Sequence, residues 1–348
     1  MLGAIVADFK GPVHAAAEAL IFGPHSKEST LLQGLKTGHE LLKATEELDF
    51  DFSAEASVSH LPKELKALFE SSGKRFRPAL CFLFGEVFGL TPETLLPYAR
   101  AVEMTHTASL VHDDVIDEAH ERRKITTLNH RYGNTSAVLG GDYLLAKVIG
   151  DLVLTGKLDI ITDLTDAIKD LADGEWLQHQ LKVKFQASLP ELETVARKKT
   201  GSLMVWSCVT PAKLSNQSAE VIEACRQLGS GIGVFFQTLD DVNDFNPNSG
   251  KPFAQDLKVG QLNTVTARMA SKSPEVYQAF RLFRESGEFT ARAELKAALE
   301  ETYQGALRLE SELNAGFAKL GQDRAPHMIP VFAKMLEKVR EAFLPKGI

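Results

Sequence analysis

"LLPYARAVEMTHTASLVHDDVID", residues 95–117, decides the fold class. Apolar residues recur along it at helical spacing, and the helix then ends in acid: Asp113, Asp114 and, three places on, Asp117. Asp113 and Asp117 are four apart and Asp114 and Asp117 three apart, so on a helix their side chains point to one side. Carboxylates that close repel one another unless something positive sits among them. The same helical period runs through 61–73, 134–156, 191–210, 218–245 and about 288–343, and no stretch alternates apolar and polar residues for long. This pattern predicts an all-α, single-domain helical bundle with roughly 10 or more helices. Residues 1–50 read as an N-terminal helical extension and 51–348 as the domain itself.

The acidic ending recurs. "FFQTLDDVNDF", residues 235–245, places Asp240, Asp241 and Asp244 at the same spacing behind a second apolar helix. At this Asp content chance supplies about 0.05 copies of such a motif per chain, so two copies are roughly a one-in-a-thousand event. Oxygen-only ligands select a hard cation, and Mg²⁺ is preferred where a phosphate-bearing substrate completes its octahedron. Acid clusters bind diphosphate only through bridging cations. The basic residues nearby fit that scheme: Arg122 and Arg123 after the first cluster, Lys74, Arg75 and Arg77 in "GKRFRP", Lys198 and Lys199 in "RKKTGS", and Lys251 and Lys258 in "SGKPFAQDLKVGQ".

A control comes from the same chain. Asp159, Asp163, Asp166, Asp170 and Asp173 also share one helical face, without adjacent pairs and without arginines beside them. That stripe reads as a solvated surface. Trp176 and Trp206 read as packing residues.

Bulk properties exclude other classes. A net charge of −7 and a pI near 5.9 argue against a chain built to coat nucleic acid. Cys81, Cys208 and Cys225 stand singly, which fits free thiols in a reducing compartment, the cytoplasm. No apolar run approaches the roughly 18 residues of a spanning helix. Leu2, Ile5, Val6, Phe9, Val13, Ala16, Ala17 and Leu20 recur at helical spacing. Such a helix can touch a bilayer surface, or pack on the body or on a second subunit; periodicity alone favours packing.

In order along the chain, "GKRFRP", "HTASLVHDDVIDEAHERR", "GDYLLAKV", "GEWLQ", "KKTGSL", "FFQTLDDVNDF" and "GKPFAQD" resemble the trans-type isoprenyl diphosphate synthases. By motif the likeness covers about residues 60 to 265. It implies helices around a deep central cavity, a homodimer, and a prenyltransferase that joins isopentenyl diphosphate to an allylic diphosphate. Three Mg²⁺ ions are implied on Asp113, Asp114, Asp117, Asp240, Asp241 and Asp244. The isopentenyl diphosphate pocket maps onto Lys74, Arg77, His106 and Arg123, and the allylic diphosphate clamp onto Arg122, Lys199, Gln237 and Lys251. Metal ions and cations would stabilise charge as diphosphate leaves, in a cavity kept dry so that water does not quench the allylic cation.

The chain also departs from the family pattern. Gln261 stands where a second glycine-lysine motif has lysine, Lys124 follows the arginine pair in place of glycine, and Ser72 replaces a glycine before Lys74. Ala108 and Ser109, one turn before the first cluster, are small, so no aromatic floor stops elongation there. A product longer than farnesyl diphosphate follows from the resemblance, with Met104 and Thr105 a turn further down. A class I terpene cyclase and a non-catalytic partner subunit are the alternatives. Lys74, Arg77 and Arg123 weigh against the first, and the intact acid clusters weigh against the second.

Overall fold

The protein is described by a computed structural model, which covers Glu40, residues 43–45, Leu48 and residues 75–122, 125–249 and 252–344. In chain order the helices are α1 (Phe76–Val87), α2 (Pro92–Ile116), α3 (Leu128–Tyr132), α4 (Asn134–Val153), α5 (Leu158–Lys184), α6 (Leu189–Val195), α7 (Gly201–Leu214), α8 (Ala219–Asn243), α9 (Gln255–Lys258), α10 (Thr264–Lys272), α11 (Val276–Ser286), α12 (Arg292–Gly321) and α13 (Met328–Phe343). A π-helical turn, Ala196–Thr200, joins α6 to α7. Strands β1 (Glu121–Arg122) and β2 (Ile125–Thr126) form a two-residue antiparallel hairpin. The all-α expectation holds.

Helices α2 and α7 are the centre of the bundle. The α2 helix starts at Thr91, whose hydroxyl accepts the Thr94 N–H, with Pro92 supplying a preset first turn. Its buried residues, among them Tyr98, Val102, Met104, Ala108 and Val111, run around the helix rather than along one stripe. A helix apolar on all sides belongs inside, and α2 is covered by α1, α4 and α7. Helices α7 and α8 pack still closer because "LGSGIG" withholds side chains. A Cβ at Gly233 would stand 2.4 Å from the Gly201 Cα, and one at Gly229 would stand 2.6 Å from the Val205 Cα. That backbone contact brings the α8 terminus up beside the π-turn.

The stretch 288–343, read as continuous in sequence, is two helices. It breaks between Gly321 and Met328 at "QDRAPH", where Pro326 and the Arg324 and Ala325 turns interrupt the ladder. Trp206 is buried and donates its indole N–H to the Ile160 carbonyl at 3.2 Å, as a packing residue should. Trp176 corrects the packing expectation, being 68% exposed on α5. The acidic stripe is only partly solvated. Asp163 pairs with Lys213, and Asp170 and Asp173 both pair with Lys198, tying α5 to the π-turn and α7. The 61–73 helix and most of the N-terminal extension lie outside the described residues.

A second, aromatic core sits under α9–α11. Phe253 meets Phe245, Phe283 and Phe289 edge-to-face at 5.7–6.1 Å. It supports the segment that follows the second acidic cluster.

Candidate active site

The first cluster closes α2. Asp113 and Asp114 occupy its last turn, and Asp117 is the C-cap, its N–H donating to the Asp113 carbonyl at 2.8 Å. Glu118 then takes φ 51, and this left-handed turn sends the chain back through the β1–β2 hairpin. The hairpin returns Arg122 to the cluster, where its Nε donates to the Asp114 carboxylate at 2.7 Å. Asn129 fixes the turn from the far side by donating to the Asp114 and Ala119 carbonyls.

The second cluster closes α8 in the same way. Asp240 and Asp241 lie in its last turn and Asp244 is the C-cap. The Asp241 carboxylate is 4% exposed and accepts from Gln237 Nε2 and from the Thr264 backbone N–H, both at 2.9 Å. The Asp256 N–H at the start of α9 approaches the Asp244 carboxylate at 3.3 Å.

Between the two clusters stands the π-turn, a distortion that recurs at functional sites. It turns neighbouring lysines in different directions. Lys198 reaches Asp170 and Asp173, whereas Lys199 pairs with Glu175 on α5. Gly174 makes that approach possible, because a Cβ there would stand 2.7 Å from the Lys199 backbone nitrogen. From the other end of the turn Thr200 donates to Gln237 Oε1 at 3.0 Å, and Gln237 in turn donates to Asp241. A polar chain therefore runs from Glu175 through the π-turn to the second cluster. Gly174→Ala pushes the α5 backbone off this turn, an overpacking cost of about 1–3 kcal/mol. The expected result is a lower melting temperature together with reduced kcat. Unchanged values of both would show that the turn can yield.

The charges are strained in a consistent direction. Burial pushes the Asp113 carboxyl up to about 6, although Lys199 pulls it the other way. Burial lifts Asp114 too, with Arg122 opposing. Asp241 is pushed by burial to about 7 despite its bonds from Thr264 and Gln237. Asp244 is raised by burial and then by the neighbouring Asp256 carboxylate. Burial works against the Lys199 ammonium, but Asp113 and Glu175 outweigh it and hold its pKa above the ordinary value. These carboxylates are costly to ionise where they sit, and a divalent cation would relieve that cost.

Behind the first cluster lies a cavity of about 460 Å³, within the range of ligand pockets. Asp113, Ser109 and Thr105, four residues apart along one face of α2, form one wall; Leu145, Ile168 and Leu171 face them. Glu175 and Asp113 stand at the polar end of the same cavity. Acid at the polar end of an apolar hollow, with Lys199 paired to Glu175, suits a substrate with an anionic head and a hydrocarbon tail.

The family profile described as Polyprenyl synthetase matches residues 58–302. The chain belongs to the polyprenyl synthetase family. It is a trans-polyprenyl diphosphate synthase, a prenyltransferase. A prenyl transferase of Synechocystis sp. is 35% identical over 265 residues, 73% of this chain and 80% of the relative. A decaprenyl-diphosphate synthase of Dictyostelium discoideum is 32% identical over 271 residues, 75% of this chain but only 59% of that relative's length. The crystal structure of a decaprenyl diphosphate synthase from Rhodobacter capsulatus superposes with a TM-score of 0.75 at 25% identity, covering 89% of this chain and 99% of that one.

This polyprenyl synthetase gathers some of the residues singled out from sequence. Asp113 and Lys199 share one end of the site, and Gln237 and Asp241 share the other. Arg122 is bound to Asp114. His106 lies two turns before Asp113 on α2, its carbonyl accepting from the Ser109 hydroxyl, and Arg77 lies in the first turn of α1. Lys74, Arg123 and Lys251 lie outside the described residues. The expected cavity floor needs one correction: Ser109 lines the hollow, but Ala108 faces the core with no exposure, and Thr105 continues the lining in place of Met104. Residues 105 and 109 are four apart and share a face; 108 does not.

Sequence reasoning gave no role to Glu175, Thr200, Asp256 or Thr264. Glu175 and Thr200 sat inside quoted motifs, and Glu175 beside a helical glycine was a usable signal. Thr264 acts through its backbone N–H, which no side-chain pattern reveals.

Proposed function

We propose that the chain adds isopentenyl diphosphate head-to-tail to an allylic diphosphate, with Mg²⁺, to give products longer than farnesyl diphosphate. The observation that carries this reading is the apolar cavity lined at its polar end by Asp113 and Glu175, with Lys199 paired to Glu175. Two acid helix ends flank a lysine, and a hydrocarbon-lined space extends behind them.

Asp113, Asp117 and Asp240 are the proposed centre of the metal pole, with Asp244 beside them. Asp114 and Asp241 belong to it in a supporting place, since Arg122, Gln237 and Thr264 already hold their carboxylates. Among the described residues no three His, Cys, Asp or Glu side chains converge as a ready-made site. Mg²⁺ characteristically takes one or two carboxylates and leaves the remainder to phosphate oxygen and water, and three ions shared across the two clusters fit that habit. When bound, Mg²⁺ neutralises the diphosphate and stabilises the charge that grows on it as it departs.

The chain's own residues do the rest. Lys199, held charged between Asp113 and Glu175, and Arg122, oriented by Asp114, present cations to the allylic diphosphate, and Lys251 is the third member of that clamp. Gln237 fixes the wall between Thr200 and Asp241. Lys74, Arg77, His106 and Arg123 are assigned to isopentenyl diphosphate. Leu145, Ile168 and Leu171 keep water from the allylic carbon. The carbon–oxygen bond to diphosphate breaks, the isopentenyl double bond attacks the allylic carbon, and the proton lost as the new double bond forms passes to the departed diphosphate. Small lining residues at Ser109 and Thr105 leave room for a chain beyond farnesyl length. The decaprenyl relatives support that length.

A second copy is the proposed partner, and its place is the face of α4, α5 and the turn between them. Leu139, Leu154, Leu158 and Val183 are 62%, 86%, 71% and 73% exposed there. Apolar exposure on that scale marks an association surface. Leu154→Glu combined with Leu158→Glu is expected to convert a dimer into a monomer in sedimentation velocity. A parent chain that sediments as a monomer would remove this assignment, and vesicle binding by the parent would give the face to a membrane. No helix among the described residues is long and apolar enough to cross a membrane. The three free, buried thiols suit the cytoplasm.

Incubation with Mg²⁺, labelled isopentenyl diphosphate and farnesyl diphosphate tests the whole reading. Long prenyl diphosphates are expected. Released hydrocarbon would mean a cyclase, and no turnover would mean a regulatory subunit.

A further inference from the structure

The departure at Gln261 has a partner in space. Gln178 on α5 donates from Nε2 to Gln261 Oε1 at 2.8 Å, across 83 residues of sequence. Gln178 lies three residues after Glu175, so both look out from one face of α5. Glu175 reaches the Lys199 turn, and Gln178 reaches the loop between α9 and α10. One helix face therefore touches the surroundings of both acid clusters.

That loop, Gly260–Asn263, has no regular structure of its own. Gly260 takes φ +82, and Gln261 N–H donates back to the Asp256 carbonyl at 2.9 Å. Asn263 caps α10 and donates to the Asp256 carboxylate at 3.2 Å. Its next residue, Thr264, delivers the backbone N–H that meets Asp241. The Gln261 and Asn263 contacts with Asp256 are local to α9 and α10, and Thr264 reaches α8; the glutamine pair fastens the loop to α5.

We propose that Gln178 and Gln261 form a neutral latch that holds the α9–α10 loop where the Thr264 N–H meets Asp241, making both glutamines positioning residues for the second acidic cluster. The inference rests on the proposed reading of that cluster as the metal pole. A lysine at 261 would bring its own positive charge beside the acids. The amide pair positions the loop with no net charge, so it sets no cation of its own in competition with a metal ion at the cluster. The latch acts on Asp241 only through the loop backbone and touches no reacting atom.

The test uses shape-matched variants of the full chain. Mn²⁺ binding in the presence of inorganic pyrophosphate is measured by titration calorimetry, alongside kcat and the KM for each substrate. Gln178→Met and Gln261→Met each remove the amide bond at nearly constant volume. Each is expected to weaken Mn²⁺ binding roughly 10-fold or more, the usual effect of losing a group that orients a metal ligand. The KM for isopentenyl diphosphate should not move. The double variant should be no worse than either single one, because both break the same contact. Gln261→Glu keeps an acceptor for Gln178 and should recover binding to within about threefold of the parent. Additive losses, or unchanged Mn²⁺ affinity with only a lower melting temperature, would overturn the latch and leave the function standing. A parent chain that binds no Mn²⁺ with pyrophosphate and makes no prenyl product would overturn the functional reading, and the latch with it.

Discussion

Asp241→Asn turns over at roughly one tenth to one hundredth of the parent rate, the loss usual when a group that supports a metal site is removed. Asparagine keeps the volume and one acceptor oxygen, so the bond from Thr264 N–H or Gln237 survives and the fold is retained. The negative charge alone is lost. The same residue gives the protein a pH signature in the absence of metal. Burial raises the Asp241 carboxyl to about 7, above its unfolded value, so the folded state holds a proton more tightly than the unfolded one. The stabilisation from that proton is complete below the ordinary carboxylate range and is lost as pH rises through about 7. Melting temperatures taken in chelator between pH 5 and 8 should therefore fall more steeply for the parent than for Asp241→Asn. Equal slopes, or an asparagine variant within threefold of the parent rate, would remove Asp241 from its assigned place.

Ser109→Phe shortens the dominant product by at least one five-carbon unit. Ser109 lines the hollow one turn below Asp113, with Leu145, Ile168 and Leu171 opposite. A phenyl ring at that level fills space that the growing tail must enter, and the cavity holds only about 460 Å³ in all. The diphosphate end of the site is untouched, so the first condensation should proceed at near parental rate while later ones stop. Product masses from farnesyl diphosphate and labelled isopentenyl diphosphate read this directly. Ala108→Phe serves as the contrast: Ala108 is packed in the core, so a ring there lowers stability by about 1–3 kcal/mol through overpacking. If Ser109→Phe leaves the product unchanged, the tail does not run along this face of α2.

Much of this protein was legible in one dimension. The 3.6-residue period fixed the helical class, because amphipathic and buried helices write their burial directly into residue order. The two acid clusters were equally plain, since residues three and four apart on a helix must share a side, and the structure places Asp113 and Asp241 within reach of the intervening Lys199 turn and its Thr200–Gln237 link. Local chemistry of that kind needs no knowledge of what lies across the fold. Tertiary packing decided the rest. The four-residue spacing puts Ser109 and not Ala108 on the Asp113 face, but that this face meets the cavity depends on how α2 is rotated between α1, α4 and α7. Trp176 was read as a packing residue, yet on α5 it is largely exposed and lines the cavity. The resemblance already favoured Lys199 over Lys198, but their charge and order give no physical reason; the π-turn and the missing Cβ of Gly174 sent Lys198 to a surface stripe and Lys199 to Glu175. Gln178 meets Gln261 only because α5 and the α9–α10 loop converge. Contacts between distant residues depend on the angles at which rigid helices cross, and those angles are set by the whole packed interior rather than by any one segment.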